Sequence, residues 1–250
     1  MRLQSPKQAH NGGWFHDLEG LPVHDRTLPI PAKGRGPGIT LKALAEDRCL
    51  DLEKLKEAGW QDFLYQNKPA VLLPYKDESG KVVRNRLRLN LNKEDGDRFK
   101  WMQGDSVLPY GLHNLKWIHE QGYCILVEGE VDTEVLVQSG FPALGIPGAQ
   151  AWKSEWAKYF SENIILLAWQ ESDGAGEKFT QLVAKDFSCP GDNNEVWGTL
   201  LVIKAPEVAK DAARVKKFYK EEFISVIKDL LDKAHYAIPI FPQAGGFEIP

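Results

Sequence analysis

Cysteine is scarce in this sequence: Cys49, Cys124 and Cys189 are the only three. They lie far apart and form no CxxC pair, so neither a zinc ribbon nor a disulfide framework is expected; no zinc is predicted and a reducing, cytoplasmic setting fits best. Long apolar runs are missing as well. No stretch approaches the ~18 residues of a membrane span, and Met1 is followed by Arg2 and Lys7 but by no apolar signal segment, so no membrane partner is expected. An excess of positive charge is also lacking. With 31 Lys and Arg against 35 Asp and Glu, the formal charge of -4 excludes a general polyanion-coating protein, and any nucleic-acid contact has to be local. What is present, 250 residues that are 43% hydrophobic and 26% charged, is ordinary for a globular α/β or α+β chain of one large or two modest domains.

Residues 1–40 are rich in Gly, Pro and His, with Asn11-Gly12-Gly13 and Lys33 to Gly38 as strong breakers, and read as a loop-rich arm or linker. Lys33 and Arg35 there belong to a solvated tether or, alternatively, touch phosphate. Residues 41–118 read as a smaller α+β subdomain. Leu44, Leu52 and Leu55 recur near helical spacing, so one or two short helices are expected between Leu41 and Trp60. Ala70 to Tyr75 then reads as a strand, Asp77 to Gly80 as a turn and Lys81 to Leu91 as a second strand, which makes a hairpin. The period of two puts Arg84, Arg86 and Arg88 on one face of that strand. Arg98, Lys100 and Trp101 follow, and the stretch from Lys81 to Trp101 carries roughly +4 in an otherwise acidic chain. Two readings stand side by side: a solvated face paired with Glu94, Asp95 and Asp97, or a strip that tracks phosphates with Trp101 free to stack on a base.

The chemistry concentrates further on. Cys124 to Val127 is a short apolar run of the kind that forms a fully buried parallel strand, and it ends abruptly in Glu128-Gly129-Glu130-Val131-Asp132. A helix from Thr133 to Gln138 and a strand from Ala143 to Ile146 complete a βαβ rhythm. A helix through Trp152 to Phe160 precedes a third apolar run, Ile164 to Trp169, which leads into Gln170-Glu171-Ser172-Asp173-Gly174-Ala175-Gly176 and a helix from Glu177 to Phe187. Thr199 to Ile203 supplies a fourth strand, followed by Lys210-Asp211. Ligand sites of open α/β sheets gather beyond the carboxyl ends of the strands. That topology brings Glu128, Glu171 and Asp173 to one cleft, where mutual repulsion favours a cation, Mg²⁺ by preference or Mn²⁺. Taken one at a time, these acids read better as surface carboxylates favoured by helix N-termini; it is their pattern that points to a cation site.

The segments Val127 to Asp132, Ala143-Leu144-Gly145-Ile146-Pro147-Gly148 and Glu171 to Gly176 resemble, in order and spacing, the signatures of the TOPRIM domain of bacterial and phage DNA primases. Leu73-Pro74-Tyr75, the Gly80 turn, the basic strand, Arg98-Phe99 to Gly104 and Tyr110-Gly111 are similar to the subdomain that precedes TOPRIM in those proteins, and Lys210-Asp211 resembles their downstream Lys-Asp element. The resemblance implies a TOPRIM-like parallel four-stranded sheet flanked by helices over 119–212, preceded by the smaller subdomain with its basic hairpin and followed by a C-terminal helix and tail over 213–250. It implies Glu128 and Asp132 as catalytic acids, with Glu128, Glu171 and Asp173 at the metal and Asp211 in support. It implies Arg84, Arg86, Arg88, Arg98, Lys100 and Lys210 on nucleic acid or nucleotide. Glu171 stands where the family usually has Asp. The implied activity is primer synthesis on single-stranded DNA from nucleoside triphosphates in phage, plasmid or mobile-element replication, with a replicative helicase as a further partner. A metal-dependent nuclease and a non-catalytic nucleic-acid-binding accessory protein are the alternatives.

The other signals point to structure. Trp152 and Trp156, four apart, read as core, and His10, His16, His24, His113 and His119 show no ligand pattern. Residues 213–234 read as one amphipathic helix with Val215, Phe218, Phe223, Val226, Ile227 and Leu230 turned inward.

Overall fold

The computed structural model describes residues 7–8, 14–15, 37–160, 164–188 and 199–236. Most of the arm expected over 1–40, with Lys33, Arg35 and its three histidines, lies outside these residues, as does Cys189. Residues 1–31 form a unit of their own, in which β1 (Lys7–Gln8) pairs antiparallel with β2 (Trp14–Phe15).

The larger unit opens with α1 (Leu41–Arg48), started by the Thr40 hydroxyl, which accepts from the Ala43 N–H at 3.2 Å, and ended at Cys49 in the left-handed region. In α2 (Leu52–Glu57) Asp51 caps the N–H groups of Glu53 and Lys54. Side-chain oxygens satisfy helix donors that would otherwise be orphaned, so both starts are written locally. An antiparallel sheet follows, ordered β3 (Gln61–Tyr65), β4 (Lys68–Lys76), β5 (Val82–Arg88) and β6 (Phe99–Trp101). Its central strand β4 is buried from Ala70 to Tyr75.

After α3 (Leu115–Gln121) come β7 (Tyr123–Glu128), α4 (Glu130–Gln138), β8 (Ala143–Ile146), β9 (Ile165–Gln170), α5 (Gly174–Ser188), β10 (Thr199–Lys204), α6 (Ala212–Tyr219), α7 (Phe223–Asp232) and β11 (His235–Tyr236). The sheet order is β11-β10-β9-β7-β8, with four parallel strands and β11 antiparallel at the edge. The fold class is therefore α/β, with helices around a four-stranded parallel sheet and a separate four-stranded antiparallel sheet. Alternate residues of β7 enter opposite cores. Ile125 and Val127 join Trp169, Trp60, Leu73 and Tyr75, whereas Cys124 and Leu126 join Trp156, Phe160, Phe179 and Val183. Burial on both faces is why the strand reads as a continuous apolar run.

Several expectations are corrected. The single helix over 213–234 is two helices, because Lys220 takes a φ of 48° and a 3₁₀ turn spans Lys220–Glu222. Phe218 is 60% exposed rather than turned inward, because the buried face of α6 runs through Ala212, Ala213 and Val215 and Phe218 lies off it. The helix through Trp152 to Phe160 is a 3₁₀ segment limited to Ser154–Tyr159, although both tryptophans are buried as expected. The second strand of the hairpin stops at Arg88, where the Asn90 and Leu91 carbonyls turn back to accept from the Arg88 guanidinium.

Candidate active site

The carboxyl ends of β7 and β9 stand side by side, because Tyr123 to Leu126 pair in parallel with Ile165 to Ala168. Glu128 is the last residue of β7. Gly129 follows with φ 105° and ψ 175°, which no L side chain adopts comfortably, and turns the chain directly into α4. At the end of β9, Gly176 lets α5 pass over Glu171, where an added Cβ would lie 2.4 Å from the Glu171 carbonyl oxygen and 2.5 Å from its nitrogen.

A cavity of about 530 Å³ opens over these ends. One wall is acidic, with Glu128, Glu130, Asp132, Glu171, Asp173 and Asp211; the other is cationic, with Arg48, Arg86, Arg88, Lys93 and Arg98. Arg48 comes from the last turn of α1 and the rest from β5 and the loop before β6. Phe99 carries that wall: the Arg86 and Arg88 guanidinium carbons lie 4.2 and 4.4 Å from its ring centre. Burial, together with the charges of Arg98 and Arg48, pulls the Arg88 guanidinium down to about 10. Cations crowded in this way gain from an anionic ligand.

Burial pushes the Glu128 carboxyl up to about 7, with the like charges of Glu171 and Asp173 adding to it and Lys210 opposing. Its Oε1 is enclosed with no hydrogen-bond partner among the described residues. Lys210 lies between the other two acids, donating to Glu171 Oε2 at 2.6 Å and to Asp173 Oδ2 at 3.0 Å. Burial works against the ammonium, but these two bonds leave its pKa raised. Glu171 titrates above its usual range through burial, despite Lys210. Asp173 titrates below its usual range because the Gly176 N–H and Lys210 donate to it. The lysine is fixed from behind, where the buried Trp169 indole donates to the Lys210 carbonyl at 3.1 Å. Asp132 also lines the cavity, yet its Oδ1 accepts from the Ala213 N–H at 2.9 Å, while Asp211 caps Arg214 at 2.8 Å. Burial and the charge of Asp211 raise the Asp132 pKa.

The structure thus brings Glu128, Asp132, Glu171, Asp173, Lys210, Asp211, Arg86, Arg88 and Arg98 to one cavity. Arg84 is not in its lining and donates to the Val83 carbonyl instead. Lys100 pairs in register with Leu87, on the face opposite to the arginines, and sits over Tyr65. Trp101 packs 4.7 Å from Tyr75, ring centre to ring centre. Sequence reasoning missed Arg48, Lys93 and Arg214, which line the cavity with no motif to mark them, and Glu130, whose partners lie far upstream. The Tyr75 hydroxyl and Arg86 both donate to Glu130, the latter at 2.7 Å.

Among the described residues no three His, Cys, Asp or Glu side chains close into a metal shell by themselves. The donor set nevertheless fits Mg²⁺, which commonly takes only one or two carboxylates and completes its shell with water and substrate phosphates. Hard oxygens line the cavity, and the enclosed, unpartnered Glu128 Oε1 is one of them.

No family model matches the chain. The fold is that of the primase catalytic core. The Escherichia coli primase catalytic core superposes with a TM-score of 0.58 at 15% identity, covering 78% of this chain and 73% of that one. The DnaG primase catalytic domain bound to ssDNA gives 0.59 at 14% identity over 78% and 71%. The primase fragment of the bacteriophage T7 primase-helicase protein gives 0.53 at 20% identity over 88% and 89%. In sequence, 114 residues are 37% identical to the Gene 57 protein of Mycobacterium phage D29, across 45% of this chain and 70% of that protein. The chain, built on the TOPRIM fold of primase catalytic cores, belongs to the family of the Mycobacterium phage D29 Gene 57 protein.

Proposed function

We propose that the chain is a primase-type nucleotidyltransferase that makes short primers on single-stranded DNA from nucleoside triphosphates, in the replication of a phage, plasmid or mobile element. The observation that carries this reading is the two-walled cavity, in which acids at the ends of β7 and β9 face arginines from β5 and α1. A DnaG catalytic domain of the same fold was solved bound to single-stranded DNA, which supports that choice of template.

Residues 41–118 then supply the wall that receives phosphates, through Arg48, Arg86, Arg88, Lys93 and Arg98, and the TOPRIM part supplies the acids. Mg²⁺ or Mn²⁺ held by Glu171 and Asp173 beside Glu128 would neutralise negative charge building on the transferring phosphoryl group. Glu128 titrates near neutrality, so its carboxylate is suited to accept the proton of the attacking 3′-hydroxyl. As that oxygen bonds to the α-phosphorus, the bond to the β-phosphate breaks and diphosphate leaves. Lys210 holds Glu171 and Asp173 in place, and Asp132 and Asp211 fix the start of α6 at the rim of the cavity.

One observation favours a second reading. The Lys210 ammonium already bridges Glu171 and Asp173 and offsets part of their charge, as it would in an accessory module that binds nucleic acid without catalysis. A primer-synthesis assay on single-stranded DNA with labelled nucleoside triphosphates separates these. Short products that require Mg²⁺ or Mn²⁺ support the primase, metal-dependent shortening of the template assigns a nuclease, and binding with neither reaction leaves the accessory module.

A further inference from the structure

Glu130 is the most deeply buried carboxylate in the cavity wall, at 1% exposure, and neither the TOPRIM resemblance nor the comparisons give it a role. It is the first residue of α4, two positions beyond Glu128. One of its oxygens, Oε1, accepts from both the Tyr75 hydroxyl of β4 and Arg86 of β5, while Oε2 is buried without a partner among the described residues. Burying a carboxylate is costly unless it is paired and hydrogen-bonded, so this arrangement is maintained against a substantial desolvation penalty. Arg86 in turn has few ways to move. Its guanidinium is 5.2 Å from the Trp101 ring centre as well as 4.2 Å from that of Phe99, and Trp101 lies opposite Arg86 in the β5–β6 register. The Arg86 Nε is likewise enclosed with no hydrogen-bond partner among the described residues.

An arginine free in a cavity contributes a mobile charge, whereas one clamped by a carboxylate and two rings contributes donors in fixed directions. We propose that Glu130 is a positioning residue that locks Arg86 against Phe99 and Trp101, so that its guanidinium meets the phosphates of an incoming nucleoside triphosphate in one orientation. Its pairing with Arg86 also cancels the added charge, which makes recognition at this point depend on geometry rather than attraction. Because Glu130 belongs to α4 and Arg86 to β5, the same pair sets the cationic wall against the strand end that carries Glu128. This rests on the primase reading for the identity of the ligand, and on the Glu130–Arg86 pair for the rest.

The test is equilibrium binding of a fluorescent nucleoside triphosphate with Mg²⁺ to the full chain, comparing Glu130→Gln, Glu130→Ala, Arg86→Ala and the Glu130→Ala/Arg86→Ala double variant. Thermal unfolding of each variant is followed in parallel. Glu130→Gln keeps an acceptor for Tyr75 and Arg86, so it is expected to fold and to weaken binding about three-fold, with Glu130→Ala about ten-fold weaker. Arg86→Ala and the double variant are expected to bind equally, since Glu130 acts only through Arg86. Losses that add in the double variant, unchanged affinity in Glu130→Gln and Glu130→Ala despite a lower melting temperature, or no nucleotide binding by the wild type would each overturn the assignment. Wild-type binding with the expected coupling but without primer synthesis would sink the primase reading alone and leave the positioning role standing.

Discussion

At Glu128, burial opposes charge and two neighbouring acids add to the effect, placing its titration at about 7. The folded state therefore holds this proton more tightly than the unfolded chain does. Its contribution to stability is fully present below the ordinary glutamate range near pH 4.5 and is lost as pH rises through about 7. Glu128→Gln should remove that slope, which amounts to on the order of 1–3 kcal/mol, and chemical denaturation of both proteins between pH 4.5 and 8 measures it. Primer synthesis, if Glu128 is the base proposed above, should run the other way and rise toward pH 7 as the carboxyl ionises. Two neighbouring glycines offer a second contrast. Gly176→Ala drives a Cβ to within 2.4 Å of the Glu171 backbone and should cost about 1–3 kcal/mol in thermal unfolding while displacing Glu171. Gly174→Ala meets nothing within 4 Å and should be neutral or slightly stabilising. Equal effects of the two would contradict this view of how α5 passes over the β9 end.

Among the elements, α6 has two acids at its start with separable duties. Asp211 is its N-cap, so Asp211→Ala should cost about 0.5–2 kcal/mol. Asp132→Asn keeps an acceptor for the Ala213 N–H while removing charge repulsion from Asp211, and should leave stability level or raise it. Denaturant midpoints of the two variants decide the point, and a large loss in Asp132→Asn would show that its charge is needed. Legibility in the sequence followed burial at this scale. The strands β7, β8, β9 and β10 could be read because both faces are covered and the apolar run is unbroken. β3 escaped notice because only Tyr65 of its five residues is buried. The two-helix C-terminal segment reads as one helix in the sequence because a positive φ at Lys220 has no glycine to announce it. Glu128, Glu171 and Asp173 are legible from their place beyond strand ends, whereas Asp132 and Asp211 are legible only through the family resemblance. Glu130 was visible only as a letter in a motif, since Tyr75 and Arg86 lie 55 and 44 residues upstream. Arg48 carried no signal beyond closing a short helix.

Across the whole molecule, a chain with a formal charge of -4 brings five of its cations, Arg48, Arg86, Arg88, Lys93 and Arg98, to one cavity. Single-stranded DNA affinity should therefore depend on a few residues and fall with salt, with Lys93→Ala and Arg98→Ala each reducing the log–log salt slope by about 0.7. Lys100→Ala, on the opposite face, should not change it. Fluorescence titrations of a labelled oligonucleotide from 50 to 200 mM salt test this, and an equal effect of Lys100→Ala would place the nucleic acid elsewhere. No helix among the described residues is long and apolar enough to cross a membrane.

The most direct test of the site is primer synthesis by Glu128→Gln beside the wild type, with Mg²⁺, nucleoside triphosphates and single-stranded DNA, and with DNA binding measured on the same samples. A loss of about 10²–10⁴-fold in product, with DNA affinity close to that of the wild type, is the expected result. Undiminished synthesis by Glu128→Gln, or loss of synthesis only in step with loss of DNA binding, would contradict the placement of the chemistry at the end of β7.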